Sequence, residues 1–177
     1  GGVFPEPEFV KGIKPYIDRC FCPITMGGGI KSIAGAGEVL KIGGDKCIIP
    51  SHRSELIAPM AEKHGRQFVT MGVSYRSPAI SGDTSFQPGA GEILLQNIDR
   101  DGSLSGYDIP VLTDVARKIN VPLVVGSGCS GWADMERAFM AGADGCMTSN
   151  IHHITSGAMA GFKRNLLDRG VRVRIET

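Results

Sequence analysis

A stretch of this chain occurs twice, and that repeat limits the possible folds more than any other feature. Residues 23–52, PITMGGGIKSIAGAGEVLKIGGDKCIIPSH, align without a gap on residues 122–151, PLVVGSGCSGWADMERAFMAGADGCMTSNI, at a constant offset of 99. Identities fall at Pro23/Pro122, Gly27/Gly126, Gly29/Gly128, Ala34/Ala133, Gly43/Gly142, Asp45/Asp144 and Cys47/Cys146. Most of them sit at a strand start, a turn or a helix end, where backbone geometry selects the residue. Each copy reads as a strand, a glycine-rich turn, an amphipathic helix and a second strand. That is a β-α-β unit used twice.

Composition narrows what such a chain does. Its 177 residues suit one domain with a sizeable core. Basic and acidic residues number 19 and 18 and are mixed along the chain, for a net charge of +1. No basic patch interleaved with aromatics appears, which argues against nucleic-acid binding. Apolar runs extend over only a few residues, against the ~20 of a membrane helix. The first residues, GGVFPEPEF, have neither the basic region nor the apolar core of a signal peptide.

Five cysteines are an odd number and too sparse for a disulfide scaffold. Cys20 and Cys22 have the spacing of neither a redox pair nor a zinc knuckle, and Cys47 and Cys146 read as small core residues within strands. His152 and His153 are adjacent and would point to opposite faces of a strand, a poor chelating arrangement. The expectation is a cytoplasmic protein without metal or cofactor.

Between and around the repeat copies the same alternation continues. Residues 8–20 read as a helix broken or kinked near Pro15. Strands are expected over 22–26, 46–49, 67–73 and 92–98, with helices over 32–42, 54–63 and 110–119. Residues 77–88 are rich in Ser, Gly and Pro and lack helical periodicity. A last helix over 156–169 precedes a strand-like VRVRIE. About six short apolar strands alternating with helices call for a parallel sheet covered by helices. Two architectures satisfy this, an open doubly wound sheet and a (β/α) barrel. In both, polar residues at strand C-termini carry function: Gly27 to Gly29, Ser51, Ser74, Asp99, Asp101, Gly126 to Gly131 and Asn150.

The run 126–131, GSGCSG, formally fits a dinucleotide fingerprint. Such a site needs an acidic residue near the end of the next strand, and that strand ends in Thr148, Ser149 and Asn150. Small hydroxyl and amide groups suit a phosphate better than a ribose diol. Each repeat copy offers a glycine turn with bare N–H groups, and Ser51 or Asn150 from the following strand. A nearby helix N-terminus would favour the negative charge. Two equivalent sites imply a small metabolite with a phosphate at each end. The competing reading is that both glycine turns only permit tight strand-to-helix packing. The densest polar cluster is Asp99-Arg100-Asp101-Gly102, followed by Gly106-Tyr107-Asp108. Asp99 and Asp101 would share one face of an extended segment, as candidate acid–base groups. A simple Asp-Gly turn with a helix cap explains the same residues.

At these residues the chain resembles a known family. Residues 89–108, GAGEILLQNIDRDGSLSGYD, are similar to a segment typical of the cyclase subunit of imidazole glycerol phosphate synthase. PITMGGGIKS, GGDKCIIPS and AGADGCMTSNIHH match that family in the same order, and coverage runs from about residue 9 to the end. The resemblance implies an α/β fold of the (β/α)8 TIM-barrel family over residues 1–177, with two-fold internal symmetry and a two-phosphate substrate. It implies a heterodimer with a glutaminase subunit docked at the N-terminal barrel face, whose ammonia passes through the barrel. The reaction implied converts a ribulosyl formimino carboxamide nucleotide to imidazole glycerol phosphate and an aminoimidazole carboxamide ribotide, in histidine biosynthesis. Carried over by position, Gly28, Gly29, Ser51, Gly128 and Asn150 hold phosphates. Asp101 lies beside the reacting portion of the substrate, and Asp45, Lys46 and Glu92 match the ammonia entrance and partner interface.

The match also departs from the family pattern. It begins in the family's second helix, so the first strand, first helix and second strand have no counterpart, and the fifth helix is shortened. The family's catalytic aspartates lie on the first and fifth strands, and Ser74 stands at the second of these positions. Serine cannot serve as a general base near neutral pH in place of a carboxylate. The chain therefore reads as a fragment or as a natural short relative. Two further functions stay open on the same residues: a cyclase-like partner of a glutaminase in surface-polysaccharide sugar amidation, and a non-catalytic glutaminase-binding scaffold. Exposed sheet edges predict self-association if the chain exists alone.

Overall fold

A computed structural model describes residues 7–77, 88–154 and 158–175. Its elements alternate as the repeat predicts: α1 (Pro7–Ile17), β1 (Thr25–Gly27), α2 (Ile33–Ile42), β2 (Lys46–Pro50), α3 (Ile57–His64), β3 (Val69–Tyr75), β4 (Glu92–Asn97), α4 (Ile109–Ala116), β5 (Leu123–Gly126), α5 (Trp132–Met140), β6 (Gly145–Cys146), α6 (Ile151–Ile154) and α7 (Ala158–Asp168). Short 3-10 helices lie at Ser51–Leu56, Arg66–Phe68 and Ile98–Arg100. The strands follow chain order across the sheet, β1-β2-β3-β4-β5-β6. Neighbours β1/β2, β2/β3 and β5/β6 pair in parallel. A doubly wound sheet reverses its strand order at a switch point. Here nothing reverses, so the fold is the α/β winding of an incomplete (β/α)8 barrel. The shortened fifth helix expected around residues 77–88 falls almost entirely outside the described residues.

The chain divides into two compact units, residues 1–72 with 85–93, and residues 73–84 with 94–177. In the first unit, register pairs Met26 with Cys47 and Cys47 with Val69, and Ile49 with Met71. These side chains are buried, along with Val39 of α2 and Ile57 and Met60 of α3. Alternation places Lys46 and Ile48 on the opposite face from Cys47 and Ile49. On that opposite face Lys46 Nζ pairs with the Glu92 carboxylate, which also accepts from Thr70 Oγ1 at 3.0 Å. In the second unit Ile93's neighbours Leu94 and Leu95, with Leu112, Val115, Leu123, Val125, Met135 and Ala138, form the core.

The two repeat copies are alike down to individual hydrogen bonds. In the first, Asp45 N donates to Ile24 O (2.8 Å) and Asp45 Oδ2 accepts from Ile24 N (2.7 Å). In the second, Asp144 N donates to Leu123 O (2.8 Å) and Asp144 Oδ2 accepts from Leu123 N (2.9 Å). Helix α2 ends with Gly44 N donating to Val39 O at 2.9 Å and Gly43 at φ 100°. Helix α5 ends with Ala143 N donating to Ala138 O at 3.0 Å and Gly142 at φ 107°. This closure needs a left-handed residue, which is why glycine stands there twice.

Several expectations are corrected. Helix α1 is not broken at Pro15 but ends two residues later at Ile17, because a proline so near the C-terminus disrupts only the last turn. Residues 171–175 are not a strand. His152 and His153 lie on the short helix α6, not on a strand. Asp99 belongs to the 3-10 turn Ile98–Arg100 and Asp101 follows it, so the two do not share a face of an extended segment.

Candidate functional site

In the second unit three loops, each following a strand, are stitched around one cleft. Gly106 N donates to Gly128 O at 2.7 Å, joining the loop after β4 to the turn after β5. Asn150 Nδ2 donates to Gly102 O at 3.1 Å, joining the segment after β6 to the same loop. Arg100 turns back on its own loop, donating to Ser105 O and Gly106 O at 3.3 and 3.2 Å. The cleft so formed has a cavity volume of about 30 Å³ and is lined by Asp101 and Gly102, Ser127 to Cys129, and Met147 to Asn150, with Leu104 at its side. That space suits a couple of waters or the head of a small anion, not a whole nucleotide.

The lining is rich in donors. Among the described residues the amides of Gly128 and Cys129 have no protein acceptor. Thr148 Oγ1 is buried and has no hydrogen-bond partner among the described residues. A buried hydroxyl left unpaired costs on the order of 1–3 kcal/mol. Gly128 has φ 87°, and a Cβ there would collide with the Gly106 carbonyl oxygen. The close approach of two backbones therefore requires glycine. Ser127 before it, at φ 76°, is a non-glycine residue in the left-handed region.

The carboxylates divide by role. Asp99 is occupied, accepting from Arg76 Nη1 at 2.6 Å and Ser77 N at 2.9 Å. Asp101 is exposed, faces the cleft, and makes no side-chain hydrogen bond among the described residues. Asp134 is buried at the start of α5 and accepts from Ser130 N (2.8 Å), Ser130 Oγ (2.5 Å) and the Arg137 guanidinium. Burial pushes its carboxyl up, but the Ser130 and Arg137 contacts outweigh that and hold it below the ordinary aspartate value. The N-terminus of α5 thus has its own internal anion. Burial pushes the Cys47 and Cys146 thiols up to about 12, so both are neutral; Cys47 lies in the core as expected, whereas Cys146 is only half-buried. Burial likewise raises the Tyr107 phenol, which donates to Met147 O at 3.0 Å.

The sequence-predicted site residues fall into separate groups. Asp101, Gly128 and Asn150 come together in the cleft. Gly28 and Gly29 lie in the first unit, exposed in the turn after β1 at φ 87° and 73°. Ser51, half-buried, opens the 3-10 helix after β2. Lys46 and Glu92 form the ion pair described above, while Asp45 is spent on the Ile24 amide. Ser74 is exposed near the end of β3 although its neighbours Val73 and Tyr75 are buried. Sequence reasoning named Asp108 but missed its buried partner Asn97, whose Nδ2 donates to Asp108 Oδ2 (2.9 Å) and to Oγ of the exposed Ser77 (2.8 Å). An amide ending the apolar run EILLQN was the available signal. Among the described residues no group of three His, Cys, Asp or Glu side chains is placed to hold a metal.

Unreversed strand order with polar loops gathered after the strands defines a protein of the β/α barrel class. Within that class, the chain belongs to the family described as histidine biosynthesis protein, which matches residues 4–156. It is 31% identical to imidazole glycerol phosphate synthase subunit HisF of Streptococcus mutans, over 92% of this chain and 74% of that relative. The HisF subunits of Chlorobium phaeobacteroides and Hyphomonas neptunium are each 31% identical as well. They cover 88% and 89% of this chain, and 71% of each relative is matched. Among the described residues no helix is long and apolar enough to cross a membrane.

Proposed function

We propose that this chain is a cyclase subunit of an imidazole glycerol phosphate synthase, acting in the cytoplasm on ammonia supplied by a glutaminase partner. Its substrate is the ribulosyl formimino carboxamide nucleotide, a small metabolite with a phosphate at each end. The reading is carried by one observation: the exposed Asp101 lines the same cleft as Gly128 and Cys129, whose amides have no protein acceptor among the described residues. Free amides beside a small space suit a phosphate. A carboxylate beside it suits proton transfer at the attached carbon skeleton.

In this reading Gly128 and Asn150 hold one phosphate, with Asp101 as acid–base group. Gly28, Gly29 and Ser51 of the first repeat copy hold the other. Asp45, Lys46 and Glu92 form the ammonia entrance and partner interface, where the ion pair on Lys46 with Thr70 behind it makes a polar layer. Ser74 takes the second acid–base position without a carboxylate's basicity.

The test is turnover of the nucleotide with ammonium salts, run beside Asp101→Asn and Ser74→Asp variants. Turnover abolished by Asp101→Asn and raised by Ser74→Asp is the expected result. A second reading is favoured by the exposed Ser74 hydroxyl: a scaffold that binds and activates the glutaminase without chemistry. No turnover in wild type or in Ser74→Asp, with intact stimulation of a glutaminase, would replace the first reading with the second.

A further inference from the structure

We propose that Asn97 is the positioning residue for the loop that carries Asp101. Asn97 ends β4 on the face filled by Ile93 and Leu95, and is 2% exposed. An amide in that place is costly unless its capacity is used. It is used three times: Nδ2 donates to Asp108 Oδ2 at 2.9 Å and to Ser77 Oγ at 2.8 Å, and Oδ1 accepts from Asp99 N at 3.0 Å.

Those partners are the two ends of one loop. Asp99 begins the excursion after β4, and Asp108 closes it just before α4. A single buried side chain therefore ties the loop shut at its base, and Ser77 ties that base to the end of β3. Asp99 adds to the same anchor through Arg76 and Ser77 N. Within the closed loop, Leu104 is held at φ 55°, a conformation that a bulky side chain adopts only when its surroundings enforce it. Tyr75, buried beside the knot, has its phenol raised by burial first and by the Asp108 charge second.

The groups facing Asn97 are Asp108 from the start of α4, Asp99 from its own loop and Tyr75 from β3, with Arg76 on Asp99 and Arg100 nearby. Neither leucine nor aspartate meets all three demands. Leucine offers no donor to Asp108. Aspartate sets a second carboxylate against it, and two such groups share a proton rather than ionise together.

The inference rests on the proposed function only in treating Asp101 as the reacting group. Its test uses the full chain with Asn97→Leu and Asn97→Asp, followed by amide hydrogen exchange and by turnover. In Asn97→Leu, protection of amides 99–106 falls by about tenfold or more while the Ile24 and Asp45 amides of the first unit keep theirs. Turnover falls in kcat with little change in KM. In Asn97→Asp, loop protection is near that of wild type in acid, where the new carboxyl is protonated and can donate to Asp108, and is lost as pH rises; wild type has no such step.

Unchanged loop protection in folded Asn97→Leu overturns the proposal. So does a uniform loss across the second unit, or no pH step in Asn97→Asp, or loss of loop protection with unchanged kcat. If wild type itself does not turn over, the proposed function fails while the exchange measurements still decide whether Asn97 orders the loop.

Discussion

The two repeat copies share their scaffold and differ at their turns. Both clasp a strand start with an aspartate, Asp45 on Ile24 and Asp144 on Leu123, and both close their helix on a left-handed glycine. After the first strand the copies part. In the first, Gly28 is open to solvent, with no atom within 4 Å of where a Cβ would stand. Helix α2 there begins on the neutral hydroxyl of Ser32, which accepts from Gly35 N at 3.1 Å. In the second, Ser127 and Gly128 are buried under the loop after β4, and α5 begins on the charged Asp134. The lesson is that a duplicated backbone does not imply duplicated environments. One turn is a bare cradle, and the other is the wall of a cleft whose helix terminus is already neutralised.

Alanine at Gly128 and at Gly28 gives the largest contrast. At Gly128 the new Cβ meets both left-handed strain and the Gly106 carbonyl. We expect a loss of about 3 kcal/mol, a fall of roughly 6–12 °C in Tm. At Gly28 only the backbone strain applies, about 1–2 kcal/mol. Equal losses in denaturation would mean that the second turn is as open as the first.

Removing the carboxylate at the start of α5 is next. Asp134→Asn should cost about 2 kcal/mol near neutral pH, since the hydrogen bonds lost are to a charged group. The pH dependence has a definite sign. A carboxyl held below its ordinary 3.8 in the folded state contributes stability above that pH and loses it as pH falls through the lowered folded value. The gap between wild type and variant should therefore close in denaturation curves taken progressively below ~pH 4. A pH-independent gap would mean that Asp134 is not held as an anion.

A smaller effect measures what the copies share. Asp45→Ala and Asp144→Ala should each cost about 1 kcal/mol, for the same backbone clasp. A loss confined to one of them would break the equivalence. Smallest is Ser127→Gly. It relieves about 1–2 kcal/mol of left-handed strain, offset by about 0.5–1 kcal/mol of added chain entropy in the unfolded state. A net gain of about 0.5 kcal/mol by chemical denaturation is expected; a loss would mean that the serine hydroxyl contributes more than its backbone costs.

Much of this was readable in one dimension because it is local. The helix ends at Gly43 and Gly142 and the strand at 92–98 each depend on neighbours a few residues away. Asp101, Gly128 and Asn150 were singled out from their places after strands, and the fold does gather them. The expected extended face for Asp99 and Asp101 gave way because Asn97 draws the Asp99 amide into a turn. The histidine pair was misplaced because the sixth strand stops at Cys146 and the chain then coils into α6.

By itself the sequence determined the alternation of strands and helices, the internal duplication and the positions of the bends, since periodicity and backbone conformational limits act over short range. Only the tertiary structure decided the strand order, the burial of Gly128 beneath Gly106, and which aspartate is left uncommitted. Those outcomes depend on groups far apart in the chain arriving within hydrogen-bonding distance, and nothing in a residue's immediate neighbours encodes that arrival.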